Sequence, residues 1–195
     1  MTTITKLISL HARALDLGTS VMGRVTPGDL DRPTPCTGWD LRTLLGHIIG
    51  QNHGFAEAVE APNAPLSAYA HRVPEAQAVA ADWKASADRV AQAFAAATPG
   101  KPVLLVEISD EIRFPAETAI GFHLLDTVVH TWDVATSLEE VFHPGDELAH
   151  AVLIGARQVP AGPARERPGA SFAPVLPSGG TDPWQEALAL LGRRP

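Results

Sequence analysis

Hydrophobic residues recur at spacings of three and four over most of this chain, which is the period of amphipathic helices. The second helix is predicted to begin after an N-cap at Thr37, with Asp40 completing a shortened capping box. For the last helix, Asp182 is the predicted N-cap and Pro183 the first helical residue. The pattern therefore predicts an all-α protein. The six predicted helices cover residues 4–25, 39–61, 74–97, 115–138, 146–158 and 183–191.

One segment departs from the helical period. Residues 102–114 contain a short apolar run with β-branched ends, and Asp110 follows as a residue suited to a turn, so we predict a small hairpin here. Residues 160–183 are rich in proline and glycine and are predicted to be extended. We expect a helical bundle over residues 1–140 and a C-terminal extension, residues 141–195, packed on it.

Composition mainly excludes functions. The 195 residues carry a formal net charge of -7, which gives no reason to expect nucleic acid or an anionic lipid surface as a partner. The most apolar long window, residues 118–138, contains two Asp and two His and is a poor membrane span. The N-terminus lacks the features of a signal peptide. A single cysteine, Cys36, forms no internal disulfide. We therefore expect a cytoplasmic protein.

The fourth predicted helix carries the candidate chemistry. On a helical wheel His123, Asp126 and His130 fall within about 60° of one another. Asp126 and His130 are four residues apart, so they lie on adjacent turns and can offer two ligands to one metal ion. A solvated face of an amphipathic helix would look similar. However, no Lys, Arg or Glu occurs between Glu117 and Glu139, so we predict that this helix is buried on all sides.

Buried acids and imidazoles need partners, because an unpaired buried charge costs several kcal/mol. One metal ion would satisfy them together, and a hydrogen-bonded polar cluster is the alternative. His47 is the natural third ligand, since it lies off the apolar stripe of its helix, and Gly50 and Gly54 leave space on nearly the same face. Periodicity alone does not select it over a core histidine. His53 is a weaker candidate. Four more histidines are expected at the surface or in loops: His11, His71, His143 and His150.

At these positions the chain resembles a known family. The segments that carry the resemblance are residues 34–40 (TPCTGWD), 44–47 (LLGH) and 125–133 (LDTVVHTWD), and residues 189–193 (ALLGR) also match related proteins. They resemble the DinB superfamily, in particular its mycothiol-dependent maleylpyruvate isomerase branch. The resemblance implies a four-helix bundle with one zinc-like site, and it assigns the metal ligands to His47, Asp126 and His130.

The chain differs from the isomerase in two respects. The isomerase usually has Glu where this chain has Asp126, and it has a larger C-terminal domain with a catalytic arginine that no residue here matches. The resemblance implies a low-molecular-weight thiol such as mycothiol acting on a small-molecule electrophile. The two differences argue against maleylpyruvate isomerisation as the specific reaction.

Two imidazoles and one carboxylate leave an open position on zinc, which is typical of a catalytic site, although nickel, iron or manganese suits the same ligands. The leading hypothesis is a metal-dependent thiol transferase or isomerase. His123 is the candidate acid–base residue, with a merely packed ring as the alternative. Asp133 is predicted to accept a hydrogen bond from a ligand imidazole, and Cys36 to be structural rather than nucleophilic. Two other functions stay open: a metal-dependent hydrolase with His123 as base, and a binding module without turnover. A homodimer is also possible.

Overall fold

The computed structural model describes residues 3–167, 169–178, 180 and 182–194. Within them the chain is mostly helical, which confirms the predicted all-α, DinB-like class, and its sheet content is one two-stranded hairpin. The helices are α1 (Ile4–Met22), α2 (Leu41–Glu60), α3 (Val79–Ala95), α4 (Ala116–Ser137), α5 (Asp146–Ala156) and α6 (Pro183–Leu190), and the strands are β1 (Pro102–Leu104) and β2 (Arg113–Pro115).

The predicted start of α2 was wrong. The N-cap is Asp40 rather than Thr37, since the Asp40 carboxylate accepts a hydrogen bond from the Thr43 amide at 2.8 Å. Residues 36–39 instead form a turn in which the Trp39 amide bonds to the Cys36 carbonyl, and Gly38 adopts a φ of 81°. Glycine suits that left-handed conformation. The turn therefore replaces the first predicted helical residue.

Other predicted ends also moved. The third helix begins at Val79 rather than near Pro74, because the preceding segment runs along α2, where the Arg72 amide bonds to the Gly46 carbonyl at 2.9 Å. α1 and α5 end a few residues early. The predicted extended segment 160–183 contains a short 3-10 helix, Pro163–Glu166.

The predicted hairpin is confirmed. β1 and β2 are antiparallel, with Val103 opposite Phe114. The chain turns earlier than Asp110, because the amides of Ile108 and Ser109 both bond to the Leu105 carbonyl at 2.9 Å. Val103 and Leu105 are fully buried, so the hairpin packs on the bundle, whereas Glu107 and Ile108 of its connecting loop are exposed. One residue of this loop, Glu107, is hydrogen-bonded to Gln51 of α2.

Within the unit that ends at Val141, α4 packs on α1 and α2, and α3 packs on α1 and α2. α4 is buried along almost its whole length, as the absence of Lys, Arg and Glu predicted. Tight contacts on α2 need glycine. A Cβ at Gly54 would overlap the ring of Tyr69, and one at Gly50 would lie 2.5 Å from the carbonyl oxygen of Ala70. These glycines let the segment before α3 lie close against α2.

A second compact unit begins at Phe142 and contains α5 and α6, which pack against each other. Its last helix begins as predicted, since the Asp182 carboxylate accepts a hydrogen bond from the Trp184 amide at 3.1 Å. Arg165 is 8% exposed and donates to four backbone carbonyls of this unit. Among the described residues, no helix combines the length and the apolar character that a membrane crossing requires.

Candidate metal centre

The packing of α2 against α4 brings His47, Asp126 and His130 together. One possible ligand atom from each side chain lies within 4.8 Å of the other two. The centroids of the two imidazole rings are 5.1 Å apart, and Nε2 of His130 is 3.3 Å from Oδ1 of Asp126. These three residues, which we call the triad, combine two nitrogen donors and one oxygen donor. That set suits zinc.

The charges within the triad follow from burial and from its neighbours. Burial lowers the pKa of His47 to about 4, against the attraction of Asp126, so His47 is neutral and its nitrogen lone pair is available. Burial alone would raise the pKa of Asp126, but the nearby imidazoles, His130 above all, lower it well below its ordinary value. Burial likewise opposes the charged form of His130, yet Asp126 and further hydrogen bonds raise its pKa well above the usual range.

One atom of the triad shows that the donor set fits a cation. Oδ2 of Asp126 is buried and has no hydrogen-bond partner among the described residues. A buried carboxylate oxygen without a partner is costly, and a coordinated cation removes that cost. The triad is still reachable from solvent, since the side chains of Asp126 and His130 are 25% and 11% exposed.

The orientation of His130 depends on Asp133, one turn further along α4. Asp133 is fully buried, and its Oδ2 accepts a hydrogen bond from Nδ1 of His130 at 2.9 Å. The hydrogen bond predicted between an imidazole and Asp133 is therefore present, with His130 as its partner. It directs Nε2 toward Asp126. The Cys36 thiol donates to the same Asp133 oxygen at 3.3 Å, so Cys36, His130 and Asp133 form a second group of possible ligand atoms.

His123 lies in the core, outside both groups of possible ligands. Its ring is fully buried against the rings of Phe55 and Phe94, and its Nδ1 is 2.8 Å from Nε2 of His11. The expectation that His11 is a surface residue was therefore wrong. It faces inward from α1 and is 1% exposed, because the α1–α4 packing turns it toward His123. Burial lowers the pKa of His123 to about 4 and that of His11 well below its ordinary value.

Of the remaining histidines, His71, His143 and His150 are exposed, as predicted. The His71 ring nevertheless contacts the triad, at 5.4 Å from the His47 ring between centroids, and Trp39 lies 4.9 Å from His47. His53 points elsewhere and contacts Arg89 of α3, with 3.1 Å between its Nδ1 and the guanidinium.

Glu107, an exposed residue of the hairpin loop, was not predicted from the sequence, and its charge interacts with that of Asp126. The Gln51 side chain, 5% exposed and one turn beyond His47 on α2, donates to Oε2 of Glu107 at 2.7 Å. Burial raises the pKa of Glu107, the Gln51 hydrogen bond opposes that shift, and the charge of Asp126 adds to it. Gln51 follows His47 by four residues, so helical spacing alone marked it as a neighbour of the site. No local signal marked Glu107.

The fold and the site define a helical bundle in which two histidines and an aspartate from adjacent helices meet at a partly exposed cluster. Residues 11–135 match the family model described as the mycothiol maleylpyruvate isomerase N-terminal domain, and the chain belongs to this family. It is 30% identical over 184 residues, 94% of its length, to uncharacterised proteins of two Mycobacterium tuberculosis strains, CDC 1551 / Oshkosh and ATCC 25618 / H37Rv, and covers 95% of each.

The fold also resembles two crystal structures of the mycothiol-dependent maleylpyruvate isomerase. A mutant of that enzyme superimposes with a TM-score of 0.64 at 11% identity, and the unmodified enzyme with 0.61 at 12%. Each match covers 80% of this chain and 70% of the other. At such low identity the likeness shows a shared fold.

Proposed function

We propose that this protein binds one divalent metal ion through His47, Asp126 and His130, and that this ion is zinc. We further propose that it uses a low-molecular-weight thiol such as mycothiol as a transferase or isomerase acting on a small electrophile. The observation that carries the proposal is the close approach of the three ligand atoms, within 4.8 Å, around a buried Asp126 oxygen that has no hydrogen-bond partner in the described part of the chain.

The roles of the side chains follow from their contacts. His47 is neutral and can donate its lone pair, Asp126 supplies negative charge, and Asp133 holds the His130 ring with Nε2 toward the other two. Two imidazoles and one carboxylate leave a coordination position for a ligand. A zinc ion held there would supply Lewis acidity, which lowers the pKa of a coordinated thiol or water.

Family membership supports the choice of a thiol, since the similar crystal structures are of a mycothiol-dependent enzyme. The partial exposure of Asp126 and His130 allows a small molecule to approach. The acid–base role predicted for His123 stays a prediction. Its ring has no exposed surface, so direct contact with a substrate would require a local movement.

The first test is elemental analysis of the purified protein and of two variants, His47→Ala and His130→Ala. We expect about one equivalent of zinc in the wild type and its loss in both variants, because two remaining ligands hold zinc poorly. His150→Ala is the matched control, since His150 is exposed and lies in the C-terminal unit. A wild type without metal, even after reconstitution with zinc, would contradict the proposal.

A thiol requirement distinguishes the possible activities. The metal-loaded protein is screened against small electrophiles with and without a low-molecular-weight thiol. Turnover that requires the thiol supports the transferase or isomerase. Turnover without it indicates hydrolysis through activated water, and metal binding without turnover indicates a binding module.

A further inference from the structure

A second cluster of metal-ligating side chains lies beside the triad. It consists of Cys36, His130 and Asp133, and we call it the cysteine cluster. One possible ligand atom from each of these side chains lies within 4.8 Å of the other two. Sγ of Cys36 is 3.3 Å from Oδ2 of Asp133 and 3.9 Å from Nδ1 of His130. That nitrogen and that oxygen are 2.9 Å apart, so sulfur, nitrogen and oxygen donors face one another across a small volume.

These separations approach those of ligand atoms around a tetrahedral cation. With bonds of about 2.3 Å from zinc to sulfur and about 2.0–2.2 Å to nitrogen or oxygen, neighbouring ligand atoms lie about 3.4–3.6 Å apart. The two distances from the Cys36 sulfur are close to this range. The nitrogen–oxygen pair has to separate by about 0.5 Å, which small side-chain rotations can provide.

The same contacts argue against Cys36 as a nucleophile activated by His130. In that arrangement one ring nitrogen faces the thiol and the carboxylate holds the other. Here the thiol donates to the carboxylate of Asp133, and both groups lie on the Nδ1 side of His130, while Nε2 faces Asp126. Three different donors on one side of the ring are instead the arrangement of ligands around a cation.

Hydrogen bonds hold Cys36 in place without an ion. Oγ1 of Thr34 accepts a hydrogen bond from the Cys36 amide at 3.1 Å and donates one to the Trp39 carbonyl at 2.9 Å. The Trp39 amide in turn bonds to the Cys36 carbonyl at 3.0 Å. Asp133 is fully buried and Cys36 is half-buried, so the cluster can be reached from the side of Cys36.

We propose that Cys36, His130 and Asp133 bind a soft, thiophilic cation at a site distinct from the triad. Sulfur is the donor that the triad lacks, and soft cations favour thiolate ligands. His130 can serve both groups, because its two ring nitrogens face different partners. On binding, the thiol proton of Cys36 and the Nδ1 proton of His130 are released to solvent, and the cation takes their place. Nothing is oxidised or reduced.

The test uses cadmium as the probe, because a cadmium–thiolate bond produces a charge-transfer band in the ultraviolet. Cys36 is the only cysteine of the chain, so the band reports on this side chain alone. Zinc-loaded wild-type protein is titrated with Cd²⁺, and we expect the band to saturate. Cys36→Ser should lose it.

Two variants test the other ligands. Asp133→Asn and His130→Ala, each checked for folding by circular dichroism, should bind Cd²⁺ at least about 10-fold more weakly, because loss of a direct ligand costs no less than loss of an outer partner. Asp88→Asn and His150→Ala are the matched controls, since both residues are exposed and lie outside the two clusters.

His47→Ala separates this site from the triad. His47 belongs to the triad alone, so the band and the Cd²⁺ affinity should persist in this variant. Loss of the band there would place the Cys36 sulfur on the ion of the triad and overturn the inference. Unchanged affinity in folded Asp133→Asn, or no band in the wild type, would also overturn it. A wild type that holds no zinc but gives the band refutes the proposed function and leaves this inference standing.

Discussion

Replacing Asp133 with asparagine tests how far a buried carboxylate controls the candidate metal site. Asp133 touches neither His47 nor Asp126 in any hydrogen bond of the described residues, but it accepts the 2.9 Å bond from Nδ1 of His130. Asparagine keeps the size of the side chain and one acceptor oxygen, and it removes the negative charge. The substitution therefore perturbs the basicity and orientation of His130 and preserves the ligand set.

The expected size of the effect follows from this contact. Loss of a carboxylate that supports a metal-binding histidine typically lowers metal affinity by about 10–100-fold. Because Asp133 is fully buried and its hydrogen bond is short, we expect the upper part of that range. At about 1.4 kcal/mol for each factor of ten, the loss amounts to roughly 2–3 kcal/mol.

The assay is competition for zinc against a chromophoric chelator of known affinity, on proteins whose circular dichroism shows that they are folded. Asp88→Asn is the control, since Asp88 is exposed and pairs with Lys84 on the surface of α3. Surface substitutions of that kind change free energies by no more than about 0.5 kcal/mol. If folded Asp133→Asn binds zinc as tightly as the Asp88→Asn control, then Asp133 does not tune His130, and the reasoning is wrong.

Two further predictions concern stability. Gly54→Ala should lower the free energy of unfolding by about 1–3 kcal/mol, because the added methyl group would overlap the ring packed against it. Gly121→Ala, whose methyl group meets nothing within 4 Å, should raise it by ~0.5–1 kcal/mol through helix propensity; urea titrations that rank the two variants the other way would contradict the packing. Stability should also fall as the pH drops from 6.5 toward about 4, because burial keeps His123 neutral in the folded chain while the unfolded chain takes up the proton. The full shift of the His123 pKa corresponds to about 3 kcal/mol of the free energy of unfolding. A folded His123→Phe variant whose denaturation midpoints fall with pH as steeply as those of the wild type would count against this prediction.

Several features of the fold were already present in the sequence. The helical period placed the six helices in order, and the absence of Lys, Arg and Glu from residues 118–138 marked α4 as buried. These features are local, since they depend on which residues share a face of one helix. Helix ends were less predictable, because competing turns decide them. Thr37 is a good N-cap by residue type, yet the turn at Gly38 moved the cap to Asp40.

The residues of the candidate site likewise fall into those that local spacing predicts and those that only helix packing brings together. The spacing of Asp126 and His130 on one helix made them neighbours before any packing was known. Which histidine of α2 joins them depends on how α2 is rotated against α4, and that rotation turns His47 toward Asp126 and His53 toward Arg89.

The burial of His11 depends on the packing of α1, which brings it to His123. The contact between Glu107 and Gln51 depends on the packing of the hairpin loop. Periodicity defines a face of each element, and only the close packing of side chains from distant parts of the chain determines what that face meets.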